Sequence, residues 1–210
     1  MTIRAWVLQL IQIIMSKKSY LYNETKATQV AAILLKLNGG SMPFYKCIKL
    51  LYSIERESLN RWLHPTIYDE LCSMPHGQVV SQTLDRAKYR KGKVISFWNE
   101  YLKTIKDETI KDETENKTLI LIKECGIDKL SRAEIDLIKE VYKLNKDKTV
   151  PEIIAEHHNS TLFPEWKDPG SSRIPTKYSD LLKVLGKTQE QVEELEADLD
   201  ELTKLKDLAC

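Results

Sequence analysis

Apolar residues recur at helical spacing from Ala27 through Val30, Ala31, Leu34 and Leu37, and Gly39-Gly40 then allows the positive φ that ends a helix. A second stripe follows in Phe44, Ile48, Leu51, Tyr52 and Leu59, with Ser41 placed to cap that helix and Pro43 in its first turn. Lys46, Lys49, Arg56 and Glu57 fall opposite the stripe and are expected on its solvated side. From Trp62 to Val80 the periodicity fails. Pro65, Pro75 and Gly77 punctuate short apolar pieces, which predicts loops with one or two short strands. Val79 to Tyr89 reads as helix, whereas Val94 to Leu102 and Thr118 to Lys123 are β-branched and aromatic and read as strands. Between those two, Ile105-Lys-Asp-Glu-Thr109 is repeated at once as Ile110-Lys-Asp-Glu-Thr114. A duplication of that kind is tolerated in a solvent loop, so a hairpin with a long charged tip is expected.

The second half carries stronger punctuation. Ser131-Arg-Ala-Glu134 and Thr149-Val-Pro-Glu152 are capping boxes, in which the hydroxyl and the carboxylate each satisfy a free amide at a helix start. Lys167 to Pro175 is rich in turn residues and reads as a linker. A short helix through Leu181, Leu182, Val184 and Leu185 ends at Gly186, and Thr188-Gln-Glu-Gln191 caps a last one. That helix has Val192, Leu195, Leu199, Leu202 and Leu205 on one side, a stripe that suits packing on its own domain or on a partner. The fold class expected is mainly α (α+β): a helical domain with a small antiparallel β-sheet or hairpin, plus a C-terminal helical extension.

Charge narrows the function. Lys and Arg total 32 against 31 for Asp and Glu. A duplex binder draws affinity from neutralising phosphates, and the overall balance offers no such excess. Its best local candidate is Arg86-Ala-Lys-Tyr-Arg-Lys-Gly-Lys93, which also reads as a solvated helix end favoured by the C-terminal dipole. Cys47, Cys72, Cys125 and Cys210 form no CxxC pair and read as reduced cytoplasmic thiols. Ile3 to Ile14 is apolar but too short to span a bilayer, and Met15-Ser-Lys-Lys-Ser-Tyr supplies no cleavage site. Two readings stand for it: an upstream start site before Met15, or a hydrophobic arm that docks on a partner.

No catalytic constellation is expected. Cys72-Ser-Met-Pro-His76 could bring a thiol to an imidazole, but no third group orients the histidine and no second pair completes a zinc site. The four histidines, His64, His76, His157 and His158, are otherwise scattered. No phosphate loop or nucleophile elbow appears, so neither cofactor nor metal is expected.

Two stretches carry a family resemblance. The first is Lys46-Cys-Ile-Lys-Leu-Leu-Tyr-Ser-Ile-Glu-Arg56, then Tyr68, then Met74-Pro-His-Gly-Gln-Val-Val-Ser81. The second is Leu130-Ser-Arg-Ala-Glu-Ile-Asp136, with His158 and Pro164-Glu-Trp166 downstream. Together they resemble the Panacea (SocA-like) antitoxin family over about Thr25 to Trp166. Departures are Gln78 where proline is usual, and Trp62-Leu-His-Pro65 and Asp69-Glu70 where glycine-containing turns are usual.

The resemblance implies residues 1–24 as an arm, 25–168 as the antitoxin domain, and 169–210 as linker and C-terminal helices. It implies an antitoxin that neutralises a protein toxin by direct binding; the alternatives are an adaptor delivering the toxin to a protease, or an autoregulator that binds DNA. Lys49, Leu50, Leu51, Tyr52, Glu55, Arg56, Tyr68, Met74, His76, Gly77, Ser81, Ser131, His158 and Trp166 would then be scaffold. Trp62, Leu63, Leu195, Leu199 and Leu202 are the candidate toxin contacts, with no membrane partner expected.

Overall fold

The computed structural model describes residues 21–88 and 96–208. The Ile3–Ile14 stretch, most of the basic run after Lys88, and Cys210 lie outside the described residues.

Helix α1 (Glu24–Leu37) starts where the Asn23 side chain accepts from the Lys26 amide. It stops as expected, at Gly39 and Gly40 with φ of 80° and 96°. Ser41 is not a cap. Residues Ser41–Pro43 form strand β1, and α2 (Phe44–Trp62) begins on Pro43 with no side-chain cap. The strand forms because β5 (Lys117–Leu121) has an open edge, on which Ser41 pairs with Ile120 and Pro43 with Thr118.

Loops with one or two short strands were expected in the aperiodic stretch, and strands β2 (Leu71–Met74) and β3 (Gly77–Val80) form there, paired as a hairpin. Val79 and Val80 belong to β3, so helix α3 starts later than their pattern suggested and spans Ser81–Ala87. Pairing decides this, since Leu71 and Cys72 lie opposite the two valines. Of the strand expected over Val94–Leu102, Val94 and Ile95 lie outside the described residues and only Leu102 is strand. Ser96 accepts from the Asn99 amide and starts a short helix α4 (Phe97–Tyr101), and only then does β4 (Leu102–Lys106) run antiparallel to β5. The duplicated pentapeptides end up in the β4–β5 hairpin, as expected.

Both capping boxes are formed, at the starts of α5 (Arg132–Asn145) and α6 (Val150–His157). The turn-rich segment is more than a linker, because Ile174–Thr176 forms strand β6 and pairs with Leu71–Ser73 of β2. Helices α7 (Tyr178–Val184) and α8 (Gln189–Leu208) complete the chain. Eight helices thus surround two three-stranded antiparallel sheets, ordered β1-β5-β4 and β3-β2-β6, among the described residues.

One hydrophobic cluster joins these elements, from Leu34, Leu51 and Val80 to Leu119, Ile138, Leu181 and Val192. Each such side chain contributes about 1.5–3 kcal/mol by leaving water. Leu195, a candidate toxin contact, belongs to this core at 2% exposed and presents no surface to a partner in this structure. The face of α8 turns outward only past Leu199, which packs partly against the core.

Candidate functional site

Lys49, Tyr52 and Arg56 recur at i, i+3 and i+7 on α2 and so share one helix face. That face is turned inward. Lys49 is 0% exposed, and its Nζ donates to the Gln78 carbonyl at 2.7 Å. Burial holds its ammonium well below the ordinary lysine value. Lys46 is also buried and donates to the carbonyls of Lys146 and Lys148 at 2.8 and 2.7 Å, just past the end of α5, where a cation is favoured. The expected solvated side of α2 is thus its polar contact with the rest of the fold. Long apolar stems let a lysine cross a core when a carbonyl waits at the far side.

Glu165 is the acceptor that joins the two halves. Tyr52 Oη donates to its Oε1 at 2.9 Å and Arg56 Nε at 2.8 Å, while the Arg56 guanidinium also lies 5.0 Å from the Phe163 ring centre. Glu55, one step round the helix, is 0% exposed. Its carboxylate accepts the backbone N–H groups of Thr66, Ile67 and Tyr68 at 2.8–3.0 Å and the Tyr178 hydroxyl at 3.2 Å. Burial pushes Glu55 up to about 7, with those donors pulling the other way. It pins a loop containing two left-handed residues, Leu63 (φ 55°) and Tyr68 (φ 57°), in the stretch where glycine turns are usual.

The remaining motif residues are also mostly structural. Leu50 and Leu51 are core. Met74 gives its carbonyl to the Trp166 indole N–H at 3.2 Å, and the His158 ring lies 4.5 Å from Trp166. Ser81 accepts from Arg173 at 3.1 Å, Ser131 caps α5, and Tyr68 Oη meets His64 Nε2 at 2.6 Å. His76 differs, being exposed in the β2–β3 turn with its ring against Tyr45. Gly77 in that turn has φ +88°, and a Cβ there would come within 2.7 Å of His157 Cβ and 3.0 Å of Lys49 Nζ. Gly77→Ala is therefore expected to cost about 2–4 kcal/mol, lowering Tm by on the order of 10 °C. Gly39→Ala, at φ +80° but with nothing within 4 Å, should lose clearly less in the same melts.

Three buried groups escaped the sequence reading. Glu165 had one signal, a tyrosine and an arginine four apart on a helix that together need a carboxylate. Asp69 caps α3, accepting from the amides of Gln82 and Thr83 at 2.7 and 2.8 Å, and burial raises it to about 6. His157, not only His158, faces the interior; it stacks on Phe163 at 4.1 Å, and burial, then Lys49 and Arg56, keep it well below the usual histidine value.

Chemistry finds little free material here. Cys72 is buried, with its thiol pushed up by burial, while His76 stands in solvent. Cys47 and Cys125 are free thiols as well, and burial pushes Cys47 up to about 12. Among the described residues no three His, Cys, Asp or Glu gather as a metal set, and no helix is long and apolar enough to cross a membrane. Arg86 lies against Glu24 at 3.2 Å and Lys88 against Asp85 at 2.5 Å.

The candidate toxin contacts divide. Trp62 is 40% exposed, Leu63 is half-buried against the core, and Leu202 is exposed.

In this mainly helical domain, inward-facing Lys49, Tyr52, Glu55 and Arg56 of α2 bind distant parts of the chain. The family model for the antitoxin SocA-like Panacea domain matches residues 48–167, more than half of the 210-residue chain, and the chain belongs to that family. No curated protein and no solved structure matches it.

Proposed function

We propose that this protein neutralises a cognate protein toxin by direct binding, without a catalytic step of its own. Family membership carries the reading. The geometry supports it, because the motif's ionisable groups Lys49, Glu55 and Arg56 are engaged inside the fold. Recognition then falls to exposed apolar groups outside the motif: Trp62, Leu202 and Leu205, the last 55% exposed. Aromatic and aliphatic anchors in such a patch dominate binding energy. The same reading places the protein in the cytoplasm, where thiols such as Cys47 and Cys72 stay reduced.

Co-expression with the product of the neighbouring gene should rescue growth and yield a complex on purification. A neighbour harmless on its own would sink the reading. Trp62→Ala with Leu202→Glu should weaken the complex by about 2 kcal/mol or more while leaving the helical circular-dichroism signal intact. The toxin's half-life should not change when proteases are removed; a longer half-life would make the protein an adaptor.

A further inference from the structure

Helix α8 leaves the body of the protein along its own length. Leu195 is 2% exposed and Leu199 packs partly against the core, whereas Leu202 is 37% exposed, Leu205 55% and Leu208 84%. Residues 199–208, about 15 Å of helix, thus carry a row of leucines that the other described residues leave largely uncovered. Apolar side chains three or four apart on one helix are the usual anchors by which a second helix docks.

The charge beside this row decides what fits it. Residues 190–201 hold seven carboxylates and no lysine or arginine, in a chain whose charges nearly balance overall. At 3.6 residues per turn, Glu196 and Asp200 fall on one flank of the leucines, and Asp198 and Glu201 on the other. All four are exposed. Elsewhere exposed carboxylates meet cations, as Glu140 meets Arg61 at 2.6 Å and Glu124 meets Lys36 at 2.8 Å. None of the four on α8 is ion-paired to a described residue. A second copy of the chain would bring its own α8 with the same carboxylates, and like charges set side by side oppose that pairing. A cationic amphipathic segment answers both the leucines and the charge.

We propose that the outer end of α8 docks a basic amphipathic helix of the toxin, its apolar side chains on Leu202 and Leu205 and its lysines or arginines against Glu196, Asp198, Asp200 and Glu201. This docking rests on the antitoxin reading and gives the chemistry of the toxin segment that meets Leu202 and Leu205. The leucines supply most of the affinity. The carboxylates act mainly through steering and register, and salt screens them.

The test uses the full chain and the peptide acetyl-Leu-Lys-Lys-Leu-Leu-Lys-Lys-Leu-Leu-Lys-Lys-Leu-amide, followed by calorimetry. The same peptide with glutamate in place of every lysine is the control. The basic peptide should bind and should weaken as salt is raised, while the acidic one does not bind. Leu202→Gln with Leu205→Gln should weaken binding about tenfold or more at every salt concentration. Asp198→Asn with Glu201→Gln should weaken it about threefold at low salt and little at high salt. All four side chains are exposed, so helicity and Tm should hold in both variants. The folded Leu202/Leu205 variant should also lose toxin neutralisation in the growth assay. Equal binding of both peptides, undiminished binding by the leucine variant, or full neutralisation by it would overturn the proposal. So would a dimer of the isolated protein that the leucine variant dissolves, because a second copy then covers the row. Failure of the unaltered protein to neutralise its neighbour's toxin, with the basic peptide still bound, removes the antitoxin reading instead.

Discussion

Glu55→Ala is expected to bring the domain to the edge of unfolding, with a loss of about 4–6 kcal/mol. The carboxylate is 0% exposed and serves three backbone amides, those of Thr66, Ile67 and Tyr68, while the Tyr178 hydroxyl 3.2 Å away keeps the Asp69 carbonyl at 2.6 Å. Each buried donor left without a partner costs about 1–3 kcal/mol, and the site is too enclosed for all of them to turn to solvent. Total stabilities of ordinary domains are about 5–15 kcal/mol, so this single change consumes a large share. The left-handed turns at Leu63 and Tyr68 add to the effect, because the carboxylate holds a loop that side-chain-bearing residues enter only under constraint. Glu55→Gln keeps an acceptor oxygen and should lose about half as much. Urea melts followed by circular dichroism measure both. A Glu55→Ala midpoint close to that of the unaltered protein would show that water takes over the carboxylate's role.

Glu165→Ala is expected to cost about 3–5 kcal/mol, the range for breaking a buried ion pair from one side. Arg56 is left beside Phe163 with only the Leu162 carbonyl at 3.1 Å, and the Tyr52 hydroxyl, wholly buried, is left without an acceptor. The double change Arg56→Met with Glu165→Leu should recover part of that loss, because it replaces both charges with apolar groups of similar length. Arg56→Met alone should cost less than Glu165→Ala, since Tyr52 still donates to the carboxylate. A thermal-melt cycle over these variants yields the coupling directly. Additive losses with no recovery in the double variant would show that the two groups do not act as a pair.

These two carboxylates illustrate how far the residues could be read in order. Glu55 was visible as part of a helix motif, but its direction was not, because a carboxylate on an amphipathic helix is ordinarily solvated. What turns it inward is a loop that runs back over α2 and presents three amides to one point. Glu165 was visible only as the middle of Pro164-Glu-Trp166. Its two donors lie more than a hundred residues earlier, and no local pattern ties them to it. The same holds for Lys49, whose partner is a carbonyl of β3.

By itself the sequence determined the mainly helical class, the Gly39-Gly40 stop, both capping boxes, the presence of short strands between Trp62 and Val80, and the charged hairpin around the repeat. All are set by interactions a few residues apart: amides that need a cap, a backbone that needs φ > 0, or side chains alternating on a pleat. Tertiary structure alone decided that Ser41–Pro43 and Ile174–Thr176 become strands, since each depends on an open sheet edge elsewhere in the chain. It alone put Leu195 in the core while leaving Leu202 outside, although both lie on one stripe of α8, because the body of the protein ends beneath the helix between them. And it alone turned Lys46, Lys49 and Glu55 inward, since burying a polar side chain is favourable only where distant backbone groups converge to replace water.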